Sequence, residues 1–202
     1  MSYTTVRVVP AGVVLFEAHR RRLGAPAADA FDAFSRTAAP GVYSLSSADG
    51  AFTVTPRSGS RLHDGQPTRT RPSPIASATG PQPKQSSPSP WDAVRAPGLA
   101  TLLTDPLGAQ LYESCVAAVV AWDGHELVLV PDSSPRVDSL AERFVQAHQP
   151  HHRAPIPPTH EALLLINAVT LAIPAGSRFP PAVRDELQRA LDATAARASG
   201  MV

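Results

Sequence analysis

The 202 residues carry 18 basic and 17 acidic side chains, for a net charge of +1. This balance gives no electrostatic reason to expect a nucleic acid or a membrane surface as partner. The length suffices for one domain or two small ones with a real core. No apolar run reaches the ~20 residues of a membrane-spanning helix, and the N-terminus lacks the apolar stretch of a signal peptide. The single cysteine, Cys115, excludes an internal disulfide and a cysteine-rich metal centre and suits a reducing cytoplasm, which is the expected location.

Residues 4–9 (TTVRVV) are β-branched and alternating, the pattern of a strand. Ala11 and Gly12 signal a turn, and residues 13–16 (VVLF) are expected to return as a second strand. From Glu17 to about Ala38 the spacing of Leu23, Ala27, Phe31 and Phe34 predicts helix. Gly24-Ala25-Pro26 is placed to break it, and Pro40-Gly41 to end it. Residues 42–45 and 52–55 flank Ala48-Asp49-Gly50, a hairpin signal. Residues 1–65 therefore read as a small N-terminal α/β domain.

Residues 66–98 change character. Eight of the 22 prolines fall here, at 67, 72, 74, 81, 83, 88, 90 and 97, with Ser and Thr between them. The stretch is either an interdomain linker or an ordered loop lining a site. Within it lies Lys84, the only lysine in the chain.

Residues 99–202 read as a larger α+β domain. A buried strand is expected over 99–104 and strands over 109–113 and 116–122. The turn Asp123-Gly124 leads back into a strand over 126–130, and a short helix covers 139–148. The apolar runs 161–166 and 169–173 fit helix or strand equally by periodicity. Pro180-Pro181 opens a last helix reaching about Ala195, with proline in the first turn where its missing N–H costs nothing. No internal repeat is visible.

Most familiar chemistry lacks support. His148, His151, His152 and His160 suggest a metal cluster, but prolines prevent a helix presenting two of them at i, i+4, and no carboxylate falls at ligand spacing. A solvated loop is the expectation, with no metal. Ser58, Ser60 and Ser139 lack the Gly-x-Ser-x-Gly elbow. No glycine-rich phosphate loop is present. Asp132 and Asp138 sit where turns commonly place Asp. The remaining candidate is the amine of Lys84, which serves as a Schiff-base nucleophile if its pKa is lowered and a carbonyl cofactor is held against it. Pyridoxal phosphate would further need an anion site, a carboxylate for its ring nitrogen and a wall for the ring.

Several segments, in order, carry a resemblance that supplies these parts. Residues 4–8, a turn, and residues 13–23 (VVLFEAHRRRL) resemble the opening of the class IV (fold-type IV) pyridoxal-phosphate enzymes, whose entry strands lead into a helix bearing His-x-x-Arg-Leu. His19, Arg22 and Leu23 match it. The family lysine follows on a strand before the second domain, and Lys84 falls in that order. Residues 111–124 (LYESCVAAVVAWDG) resemble the family's glutamate-bearing strand and hairpin. Residues 127–131 resemble a strand that ends in Thr-Pro, and 136–143 the segment that usually reads Leu-Pro-Gly-Ile-Thr-Arg. Residues 161–174 resemble the late strand pair, where Asn167-Ala168 is closest to 4-amino-4-deoxychorismate lyase.

The resemblance implies an α+β, two-domain, D-amino-acid-aminotransferase-like architecture, N-terminally shortened. It implies pyridoxal 5'-phosphate as cofactor. Lys84 would be catalytic and Glu113 would pair with the ring nitrogen. Arg22 would hold the phosphate with the amides near Ala141 and Ala168, beside Asn167. The implied partners are a small amino acid or an aminodeoxychorismate-like substrate and a second copy in a homodimer.

Three functions stay open: a lyase releasing 4-aminobenzoate and pyruvate, an aminotransferase for branched-chain or D-amino acids, and a binding protein that kept the fold without the cofactor. The chain also departs from the family pattern. Some two dozen residues before the first matched strand are missing. Pro81, Pro83 and Pro88 surround Lys84. Ala118 replaces the usual Asn, and Leu140-Ala141-Glu142 replaces the Gly-Ile-Thr turn, so Glu142 is expected to bring a carboxylate near the phosphate.

Overall fold

The structure is a computed structural model describing residues 2–49, 51–83 and 89–198. β1 (Ser2–Val9) buries Thr4, Val6 and Val8 on one face, as period-two patterning requires. A tight turn leads to β2 (Gly12–Val13). α1 (Phe16–Leu23), a 3-10 turn at Ala25–Ala27 and α2 (Ala28–Thr37) follow, so the break at Gly24-Ala25-Pro26 is where the sequence puts it. β3 (Gly41–Ala48) and β4 (Ala51–Arg57) form the expected hairpin. The sheet order is β2-β1-β3-β4, antiparallel throughout. The helices cover its buried face with an aromatic row. Phe16 stacks on Phe31 at 5.2 Å, Phe31 on Phe34 at 6.3 Å, and Phe34 meets the edge of Tyr43 at 5.2 Å.

The strand expected over residues 13–16 is a correction. Only Gly12 and Val13 extend. Leu15 turns into the left-handed region (φ 55) and α1 starts at Phe16. The run is apolar because it serves two cores: Val13 and Phe16 face the N-terminal sheet, while Val14 and Leu15 join the core of the second half.

Residues 66–98 are also more regular than their prolines suggest. β5 (Thr68–Pro72) and β6 (Pro81–Gln82) lie here, followed by a 3-10 turn at Pro90–Val94. β7 (Ala100–Thr104) and β8 (Leu111–Ser114) complete a three-stranded sheet, β5-β7-β8, with β5 parallel to β7. Pro72 is tolerated because β5 is an edge strand.

β9 (Ala118–Trp122) and β10 (Leu127–Leu129) make the predicted hairpin. β11 (Arg136–Val137) pairs in parallel with β6. α3 (Leu140–His148) is capped by Ser139. β12 (His151–Arg153), β13 (Leu163–Ile166), β14 (Leu171–Ala172) and α4 (Pro181–Asp192) finish the chain. A five-stranded sheet runs β12-β10-β9-β13-β14.

Both faces of this sheet are buried, which explains why residues 161–166 carry no readable period. Ala118, Val120, Leu127, Leu129, Leu164 and Ile166 face α3 and α4. Val119, Ala121, Val128, Leu163 and Leu165 face the β5-β7-β8 layer. Successive residues point to opposite faces and all are apolar, as in a sheet covered on both sides. The architecture is α+β, as expected. No described helix is long and apolar enough to cross a membrane.

Candidate active site

A cavity of about 240 Å³ opens where the N-terminal sheet meets the second half. Its walls come from β1, α1, the β8–β9 turn, the β11–α3 junction, the β13–β14 turn and the segment around Trp91. Arg22, Glu113, Asn167 and Ala168 all line it. They lie up to 146 positions apart in the chain and come from three places: α1, β8 and the β13–β14 turn. Ala141 does not reach the cavity; it is buried in the core, and Ser139 and Leu140 just before it form the wall. Lys84 lies outside the described residues.

Glu113 is strongly perturbed. Its residue is 3% exposed. Oε1 accepts from Trp91 Nε1 at 2.7 Å and Oε2 from the Val137 N–H at 2.8 Å. Burial pushes its pKa up to about 8, although both hydrogen bonds and Arg136 pull it down. A buried carboxylate without a full counter-charge keeps its proton. Trp91 was not read from the sequence as a site residue. Its signal was Ser89-Pro90-Trp91-Asp92, a capping box in which Asp92 Oδ2 accepts from the Ser89 N–H at 2.8 Å and so fixes the turn that presents the indole.

Arg22 approaches from α1. Its Nη2 donates to Asp138 O at 2.5 Å and to Asp138 Oδ2 at 3.2 Å. Burial lowers its pKa, with Asp138 opposing that shift. Arg143 also binds Asp138, at 2.7 Å. Next to this pair, Ser139 Oγ accepts from the Glu142 N–H at 3.3 Å and caps α3. The first N–H groups of α3 have no partner within the helix, which makes the region favourable for an anion. Across the cavity, Asn167 Oδ1 accepts from the Val169 and Thr170 N–H groups at 2.8 and 3.0 Å and shapes the β13–β14 turn. His19, fully buried beside Arg22, has Nδ1 2.7 Å from Thr4 Oγ1 and ties α1 to β1.

Two expectations change. Glu142 does not line the cavity. Arg136 grips it twice, Nε to Oε2 at 2.9 Å and Nη2 to Oε1 at 2.7 Å, and Arg153 adds a contact at 3.1 Å. Two guanidiniums turn this carboxylate inward, whereas Asp138, just before α3, does line the cavity. The histidines also differ. His148 and His151 bond backbone carbonyls at 2.9 Å. His152 sits 3.0 Å from Glu126 and 3.8 Å from Asp123, because β12 runs beside the β9–β10 hairpin. Carboxylates therefore do approach a histidine, through strand pairing rather than local spacing. The Cys115 thiol is half-buried, and burial raises its pKa to about 11, so it stays protonated at neutral pH.

No protein-family model matches the sequence, and no curated protein matches it. Solved structures do. 4-Amino-4-deoxychorismate lyase from Pseudomonas aeruginosa is 15% identical, with a TM-score of 0.59 over 95% of this chain and 90% of that one. The branched-chain amino acid aminotransferase of Escherichia coli is 8% identical, with a TM-score of 0.62 over 99% and 87%. An aminotransferase from Brucella abortus, bound to the cofactor PLP, is 12% identical, with a TM-score of 0.57 over 96% and 88%. The chain thus has the fold-type IV architecture and spans 87–90% of the length of these three structures. At these identities the likeness establishes the fold; the activity has to be argued from the site.

Pyridoxal phosphate can be tested against the donor set. Where Arg22, Ser139 and Ala168 line the cavity, a guanidinium, a hydroxyl and the α3 N-terminus would serve the phosphate, with Asp138 opposing them among the described residues. At the ring-nitrogen end, Glu113 Oε1 already accepts an N–H from an aromatic heterocycle, the Trp91 indole. A pyridinium N–H is the same kind of donor. The residues present fit the group, provided that Trp91 yields its place on Glu113.

Proposed function

We propose that the chain is a pyridoxal-phosphate-dependent enzyme acting on a small amino acid, and that its reaction is a lyase reaction resembling that of aminodeoxychorismate lyase. The observation that carries this reading is the convergence of Arg22, Glu113, Ser139 and Ala168 on one cavity. When bound, the cofactor supplies a carbonyl for the substrate amine and an electron sink for its carbon. Arg22 and the α3 N-terminus bind and orient the phosphate. Glu113 would pair with the ring nitrogen and keep the proton there, taking up at Oε1 the place that Trp91 yields, while the Val137 N–H orients Oε2. Lys84 would be the nucleophile and would then move the proton at the substrate carbon. Arginine could not replace it, because a guanidinium stays protonated. A homodimer belongs to the same proposal.

The lyase reading rests on Asn167-Ala168. Its alternative, an aminotransferase on a branched-chain or D-amino acid, differs in product: amino transfer to a 2-oxo acid instead of release of pyruvate. A second reading, a cofactor-free binding protein, is favoured by the contacts that already occupy Glu113 and Arg22. One experiment separates them. Purified protein mixed with pyridoxal phosphate should develop a yellow absorption band that Lys84→Ala abolishes. A colourless wild type with an unmoved melting temperature would refute the cofactor reading, since a ligand that binds only the folded state must raise it.

A further inference from the structure

The cavity is small for what its walls offer. At about 240 Å³ it falls below the roughly 300–1,000 Å³ of pockets that hold small-molecule ligands. Trp91 is the largest side chain on its lining and is 4% exposed. Its Nε1–H donates to Glu113 Oε1 at 2.7 Å, so the bulkiest group in the cavity also occupies its buried carboxylate. The two oxygens of Glu113 are not equally replaceable. Oε2 accepts from the Val137 N–H, and Val137 pairs with Gln82 in the β6–β11 ladder. Freeing Oε2 would dislodge backbone, whereas freeing Oε1 requires only a side chain to move. The turn beneath Trp91 is held independently of that contact. Ser89 and Asp92 close its start as a capping box. At its end Arg69 Nη2 donates to Val94 O at 2.6 Å, and Arg95 pairs with Asp92 at 2.8 Å.

We propose that Trp91 is an internal competitor for Glu113: in the free protein its indole closes the site, and a phosphorylated nitrogen heterocycle enters by displacing it. Rotation about the Trp91 side-chain bonds, with the turn left in place, releases Oε1 and widens the cavity. A buried acceptor is costly to leave without a hydrogen bond, so the indole departs when another N–H donor takes its place. A ligand with both a ring N–H and a phosphate meets Glu113 and Arg22 together. Inorganic phosphate has no ring to replace the indole and leaves it where it is. Trp91 is thus a positioning residue that acts through Glu113. The identity of the entering ligand rests on the proposed function; the closed contact does not.

The test uses the purified full chain and pyridoxamine 5'-phosphate, which has no aldehyde and so binds without a bond to Lys84. Proton–nitrogen correlation spectra of the isotopically labelled protein show the indole N–H groups of its two tryptophans, Trp91 and Trp122, and Trp91→Phe assigns them by removing one. The probe should move the Trp91 proton upfield as its bond to Glu113 is lost and leave Trp122 in place; inorganic phosphate should move neither. Trp91→Phe keeps an aromatic ring and withdraws the N–H, and its thermal melt checks that it folds. In calorimetric titration it should bind the probe at least about tenfold tighter than the wild type, the scale of one hydrogen bond to a charged group. Inorganic phosphate should bind both proteins within about twofold. A Trp91 resonance unmoved at saturation, or equal affinity of the two proteins for the probe, would overturn the competition and leave the cofactor reading standing. No binding to either protein would overturn both. Binding confined to Trp91→Phe would support the competition and count against the cofactor reading for the wild type. If Trp91→Phe does not fold, the wild-type spectrum decides alone.

Discussion

The protonation of Glu113 makes a prediction whose size and sign follow from the structure. Its pKa is about 8 in the folded protein against 4.5 for a free side chain. Between these values the folded state holds a proton that the unfolded state has lost. Stability therefore falls as pH rises through this window. Each pH unit changes it by about 1.4 kcal/mol, so the whole window is worth on the order of 5 kcal/mol. That is a large share of the roughly 5–15 kcal/mol typical of a folded domain. Glu113→Gln removes the titration. It carries a fixed cost, because an amide cannot accept from both the Trp91 and the Val137 N–H. The readout is therefore the difference in urea-unfolding free energy between variant and wild type at each pH, in which other titrating groups cancel. The variant should gain on the wild type steadily from about pH 5 to about pH 8 and then level off. Trp91→Phe removes a donor that lowers the Glu113 pKa and should move the plateau to higher pH. A difference that stays constant from pH 5 to pH 9 would show that Glu113 is ionised when folded, and would refute the reasoning.

Two further variants test the frame around the site. Arg136→Ala leaves the buried Glu142 carboxylate with Arg153 alone, and should destabilise the chain by about 3–5 kcal/mol in urea denaturation. Gly12→Ala should cost more than the ~1 kcal/mol of an ordinary backbone change: Gly12 sits at φ 132, and a Cβ there would meet the Ala196 carbonyl oxygen at 2.3 Å. The melt should show it, and a wild-type melt would mean that the chain near Ala196 does not dock against β2.

Much of the fold was legible because its signals are local. The alternation of β1, the Asp49 hairpin, the break at Pro26 and the helix starting after Ser139 each depend on a few neighbouring residues, and each stands where it was read. The runs 13–16 and 161–166 were not legible in the same way. Their apolar residues divide between two cores, so composition reports burial but not direction. β5 escaped notice because prolines mask an edge strand whose partner, β7, lies some thirty residues on.

For the site, it was the resemblance to the class IV pyridoxal-phosphate enzymes that singled out Arg22, Glu113 and Asn167-Ala168 as a set. Sequence by itself determined which groups were available: one lysine, a glutamate on an expected strand and an arginine-rich pool of cations. Tertiary structure decided what each group faces. It set Trp91 against Glu113 and raised that carboxylate's pKa by burying it. It turned Glu142 away toward Arg136 and Arg153. The physical reason is that side-chain electrostatics depends on distance and desolvation in space, and neither is written in the spacing of residues along the chain.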